Sequence, residues 1–241
     1  MIKKNFPLLE TKSPRSPFQK LLEEVPPDLE PPDPESPRGR IISSARVLFA
    51  EKGFDATSIR TIALNASVNL AMVNYYFSNK KALYQRVIIT ELIRTFRTIQ
   101  SEFPPNLTSD QVVLRLPLVI ANILRNNPVW AQLIRRELAE GAPNFKIVLE
   151  TLGGFGPVEL KTIMLNTLNQ AQRDGSLKPL DPFCVIPTLI TLGYGMVLMD
   201  PLLSIVSGMA ISDDVVWKER LSAMEIILRD GLGNKGEMNS K

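Results

Sequence analysis

Histidine is absent from these 241 residues, which removes His-based triads, histidine general bases and most zinc or iron sites. Catalysis would fall to carboxylates, lysines or tyrosines. Cysteine occurs once, as Cys184, so no intramolecular disulfide can form and a reducing, cytoplasmic compartment is expected. Its neighbours in PFCVIP are apolar, which predicts a core thiol rather than a reactive one. Long hydrophobic runs are missing too. The most apolar uncharged stretch, Pro182 to Met199, has 18 residues, contains Pro187, Gly193 and Gly195, and ends at Asp200-Pro201. A spanning helix needs about twenty apolar residues, so a buried helix is expected and no membrane partner. Lys3 and Lys4 are followed by no apolar core, which does not read as a secretory signal.

What is present is a hydrophobic content of 44%, enough for a substantial core. The net charge is +3, unevenly spread: residues 40 to 100 hold nine Lys/Arg against three Asp/Glu, while the segments on either side are slightly acidic. A basic segment of this length is an electrostatic footprint for nucleic acid. Nine of the nineteen prolines precede Gly39, where repeated proline blocks helix and sheet alike and predicts a flexible tail over 1–38. Pro14 to Pro17 matches a PxxP pattern, a weak signal in proline-rich sequence. Phe18, Leu21, Leu22 and Val25 are spaced for a helical turn or two that docks on the body.

From Arg40 onward the pattern is helices separated by short breaks, with no period-2 alternation, so the chain reads as all-α. A first helix presents Ile41, Ala45, Leu48 and Phe49 and ends at Gly53, where a left-handed residue is needed. Thr57 is expected to cap a second helix with Ile59, Ile62, Ala63 and Ala66 inward. After a turn at Ser67-Val68, Asn69 caps a third, short helix with Val73 and Phe77 inward. Ser78 is expected to cap a fourth, running to about Ser101 before Pro104-Pro105. The second helix, the turn and the short third helix form a helix-turn-helix pattern.

The stretch GFDATSIRTIALNASVNLAMVNYYFSNKKALY resembles the DNA-binding segment of the TetR family of transcriptional regulators. Gly53-Phe54, Thr57, Ile62-Ala63, Val68, Tyr75-Tyr76-Phe77, Lys80 and Ala82-Leu83 fall in step with that family's pattern. The turn carries Ser67 where the family usually has glycine, and Met72 and Asn74 stand where Thr and Tyr are common. The resemblance implies an N-terminal helix-turn-helix head (39–84), a helical ligand-binding and dimerisation body (85–232), and a flexible C-terminus (233–241). It implies a homodimer on palindromic double-stranded operator DNA, a repressor released by a small, mainly apolar effector, with no cofactor and no metal.

On that frame Leu70, Ala71 and Asn74 face base edges, Asn74 able to pair bidentately with adenine and the two apolar residues suited to a thymine methyl. An ordinary solvated helix face is the alternative. Thr57, Tyr75, Tyr76 and Lys80 are assigned to phosphates, with one tyrosine expected to contact and the other to pack, and Tyr76 in step with the family's contacting position. Arg60, on the outer side of the second helix, is either a base contact or a plain surface arginine.

In the body, further helices are expected over about 108–125, 128–141, 144–174 with a break at Gly153-Gly154, 182–206 and 213–232. Trp130, Phe155, Met164, Tyr194, Met196 and Met199 are candidates to line an effector pocket, with Arg135, Arg136 and Glu137 as its polar end; such residues also serve as ordinary core. Trp217, Leu221, Met224 and Leu228 form a helical stripe, either a dimer interface or an internal face of a monomer. Two other classes remain open: a helical adaptor with a recruiting proline-rich tail, and an enzyme using carboxylates such as Glu137 and Glu140.

Overall fold

The structure is a computed structural model that describes residues 25–151 and 157–234, with the backbone alone described over 157–160. Among the described residues it holds eleven helices and a single isolated bridge between Leu177 and Gly233. The helices are α1 (Pro37–Ala56), α2 (Ile59–Asn65), α3 (Leu70–Tyr76), α4 (Lys80–Glu102), α5 (Ser109–Asn126), α6 (Pro128–Ala139), α7 (Pro143–Thr151), α8 (Pro157–Arg173), α9 (Pro182–Leu198), α10 (Asp200–Ser207) and α11 (Asp214–Leu232). The all-α expectation holds. No single helix among them is long and apolar enough to cross a membrane.

The first helix starts earlier than the apolar pattern suggests. Ser36 accepts from the Gly39 amide and Pro37 occupies the first turn, where its missing N–H costs nothing. Residues 25–36, read from sequence as tail, lie against α4: Val25 and Leu29 pack on the core, and Glu30 pairs with Arg97 while its carbonyl accepts from Arg86. The PxxP motif and Phe18, Leu21 and Leu22 lie outside the described residues, as does the segment from 235 onward.

Ile41, Ala45, Leu48, Phe49, Ile62, Ala63, Ala66, Val73 and Phe77 are all buried together, so α1 to α3 close one small core. Phe49, Phe54 and Tyr84 stack around its base, with Phe49 and Tyr84 edge to face at 4.9 Å. Tyr84 belongs to α4, which therefore starts in the head; at 23 residues it runs about 34 Å into the body. In the body, α5 is the central helix, flanked by α8, α9 and α11. Gly193 lets α9 cross it closely, since a Cβ there would lie 2.6 Å from the Pro117 carbonyl oxygen. The uncharged run of the sequence breaks at Met199, where α9 and α10 meet at 65°.

The turn between α2 and α3 tests the glycine substitution directly. Ser67 has φ +52°, the left-handed region in which a side chain is strained and glycine is not. Ser67→Gly is expected to raise stability by about 0.5–1 kcal/mol. The urea midpoint reads it, and a lower midpoint contradicts it.

Candidate nucleic-acid interface

The outer face of the head is built by α2, the turn and α3. Asn69 caps α3, its side-chain oxygen accepting from the Met72 amide at 2.7 Å. Val73 and Phe77 turn inward, which leaves Leu70, Ala71, Asn74 and Tyr75 exposed on one surface. Arg60 on α2 is exposed, with no hydrogen bond or ion pair among the described residues. Arg40 holds this unit to α1 through the Ala66 carbonyl, and Ser44 through that of Ile62. The short helix is thus positioned by its neighbours rather than by its own length.

Several of the assigned phosphate groups occupy other places than expected. The Thr57 side chain is buried, 2% exposed, with its hydroxyl 2.7 Å from the Gly53 carbonyl oxygen and 3.1 Å from that of Leu48. It ties α2 to the end of α1 and offers nothing outward. Ser58, not Thr57, caps α2, and Asn79, not Ser78, caps α4. Of the two tyrosines, Tyr75 stands free at 82% exposure, whereas Tyr76, chosen from sequence for the contact, is half-buried against the core. Their rings meet edge to face at 5.1 Å.

Lys80 is the largest departure. Its ammonium donates to the carbonyls of Phe54 (2.9 Å), Asp55 (3.3 Å) and Thr57 (3.1 Å) and lies 4.5 Å from the Phe54 ring centroid. Three acceptors use all three of its protons. A lysine at the start of a helix opposes the dipole of that helix, but here the charge reaches back to the C-terminal end of α1, where a cation is favoured. Lys81, next along the chain, is exposed and has no carboxylate partner among the described residues. It was missed because the motif singles out Lys80; the signal for it was only the doubled lysine.

The head is joined to the body by two polar clusters. Glu91 of α4, buried to 1% exposure, lies 3.0 Å from Arg46 of α1 and 3.0 Å from Arg94, and accepts from the Asn127 amide at 3.0 Å. Asn127 in turn caps α6 and accepts from Arg46. Arg136 of α6 donates to the carbonyls of Ala50 and Glu51 at 2.9 and 2.8 Å, capping α1 from the body side. Buried Glu137 accepts from the backbone and side-chain amides of Asn144 and from Tyr84, and burial with this bond pushes the Tyr84 phenol far above its ordinary range.

These contacts correct the pocket expectation. Arg135 caps α9 through the carbonyls of Val197 and Leu198, so none of Arg135, Arg136 and Glu137 is a polar pocket end. Trp130 and Met164 are core, Tyr194 and Met196 are half-buried, Met199 is exposed, and Phe155 lies outside the described residues. A cleft lies elsewhere, between the head and α7, with a volume of about 220 Å³. The dimer stripe is corrected as well: Trp217, Met224 and Leu228 are buried and Leu221 is half-buried, with the Trp217 indole donating to Asn122 of α5. The opposite face of α11 is the exposed apolar one, carrying Val215, Ile226 and Ile227, and α9 adds Phe183 and Leu192. Cys184 shares that outward face and is exposed, not a core thiol.

A buried three-helix core that holds a short, outward-facing helix on the basic segment of the chain has the geometry of a helix-turn-helix head. Residues 41–87 match the family model described as "Bacterial regulatory proteins, tetR family". The chain is 31% identical to YttP of Bacillus subtilis over 120 residues, 48% of this chain and 57% of YttP, so it spans little more than half the length of that relative. It is 25% identical to the HTH-type transcriptional regulator RutR of Escherichia coli over 198 residues, 80% of this chain and 88% of RutR. The fold is that of the ketosteroid transcriptional regulator KstR2 of Mycobacterium tuberculosis, with a TM-score of 0.62 at 16% identity over 86% of this chain and all of KstR2. The match to that family's model covers residues 41–87, and over most of its length the chain resembles these regulators in fold.

Proposed function

We propose that the protein is a cytoplasmic homodimeric repressor that binds a palindromic operator through α3 and is released by a small effector. The observation that carries this reading is the free outer surface of the head, where Arg60, Leu70, Ala71, Asn74, Tyr75 and Lys81 stand exposed on the segment with net charge +6. Asn74 and the apolar pair in front of it would meet base edges, and Tyr75 and Lys81 the flanking phosphates. The outward apolar faces of α9 and α11 support pairing with a second copy, since patches of that kind on a polar rim are interaction surfaces. Two heads would then need a separation near 34 to 36 Å, or a multiple, to meet one face of the duplex. Occupancy of a promoter by such a dimer blocks polymerase. Glu137, one of the two carboxylates named for an enzyme, is instead committed to Asn144 and Tyr84.

The salt dependence of DNA binding tests the reassignment of the lysines. Lys81→Ala in both subunits is expected to make the slope of log affinity against log salt shallower by roughly 1.8, about 0.9 per phosphate contact. Lys80→Ala is expected to leave the slope and to lower the melting temperature, because it removes the cap of α1. A slope that responds to Lys80 and not to Lys81 contradicts this interface.

A further inference from the structure

The cleft at the head–body junction is lined by the end of α3 and the start of α4 on one side and by Ile147, Val148 and Thr151 of α7 on the other. Two arginines also line it. Arg86 is 6% exposed; one of its terminal nitrogens donates to the Glu30 carbonyl, while its Nε has no hydrogen-bond partner among the described residues. Among the described residues Arg38 donates only to the Asp28 carbonyl, at 3.3 Å. Neither forms an ion pair among the described residues; of the two acids that act on Arg86 from a distance, Asp28 and Glu30, the second is paired with Arg97. Two guanidinium groups facing one cleft repel each other, and a buried charge without a counterion is costly. Burial, then the neighbouring Arg38, pulls the Arg86 guanidinium down to about 10, against the opposing pull of Asp28 and Glu30.

We infer that this cleft takes a small organic carboxylate, its charge held by Arg86 and Arg38 and its hydrocarbon part resting on Phe77, Ile89 and Val148. Guanidinium matches a carboxylate with two parallel N–H groups, and the remaining walls are largely apolar. At about 220 Å³ the cleft has room for a six-carbon ring bearing one carboxylate. Tyr76 and Phe77, which end the recognition helix, share the wall with the arginines. An occupant would therefore bridge α3 and α7 and bias the angle between head and body. That regulatory consequence rests on the reading of the head as DNA-binding; the binding itself does not.

Calorimetry on the full chain with benzoate as the probe tests the site. Benzoate is expected to bind, and its neutral isostere benzamide and inorganic phosphate each to bind about tenfold more weakly or worse, as loss of a charge-assisted hydrogen bond or of apolar contact requires. Arg86→Met, which keeps the volume, and exposed-side Arg38→Gln should each weaken benzoate about tenfold or more. Absence of benzoate binding, equal affinity for benzamide or phosphate, or indifference to both substitutions overturns the proposal. The benzamide and phosphate comparisons use the unaltered protein and stand even if Arg86→Met does not fold. A separate titration of duplex DNA with and without benzoate reads the coupling. Unchanged DNA affinity with benzoate bound would remove the regulatory consequence and leave the site; failure to bind DNA at all would instead remove the DNA-binding reading.

Discussion

Replacing Glu91 with alanine is expected to lower stability by about 3–5 kcal/mol, the cost of removing one partner from a buried ion pair. Glu91 is the point at which the head and body meet: it lies between Arg46 of α1 and Arg94 of its own helix and accepts from the Asn127 side chain that caps α6. Its loss leaves Arg46 without a counterion and frees the cap. The effect should exceed that of Arg94→Ala, because Arg94 is substantially exposed and exposed partners contribute about 0–1 kcal/mol. Denaturant unfolding measures both. Equal, small losses would mean that the cluster does not join the two parts.

The second large effect concerns specificity. Asn74→Ala should cost about 1–3 kcal/mol per half-site against the preferred base pair, and both half-sites of a dimer feel it. Asn74 is exposed on α3 between Ala71 and Tyr75, while Val73 holds the helix to the core. The side chain can therefore be removed without disturbing the helix, and the loss should fall on specific DNA alone. Binding to random duplex is expected to stay within about twofold, since phosphate contacts carry no base information. Equal losses on both kinds of DNA contradict direct readout by Asn74.

The head was legible in the sequence because its apolar residues repeat with helical spacing and its caps and turn are local. Ile41, Ala45, Ile62, Val73 and Phe77 meet as their spacing requires, and the strain at Ser67 could be read from the missing glycine. Side-chain destinations were less legible. Lys80 sits at the start of one helix, and nothing local says that its charge serves the end of another, 26 residues earlier at Phe54. Tyr75 and Tyr76 are adjacent, so a shift of one position decides which is exposed. Position on α11 was equally open: the stripe through Trp217 and Met224 is periodic, and so is the one through Val215 and Ile226. Only the packing on α5 decides which is inside. The cleft was not legible at all, because Arg38, Arg86 and Val148 are brought together by three separate elements.

The most direct test of the central claim is selection of bound sequences from random duplex DNA by the purified full chain. The account predicts enrichment of a palindrome whose half-sites lie one helical turn or a multiple apart, and loss of preference at one base pair per half-site with Asn74→Ala. Recovery of an unenriched pool at low salt, where any basic DNA-binding surface retains duplex, would contradict it.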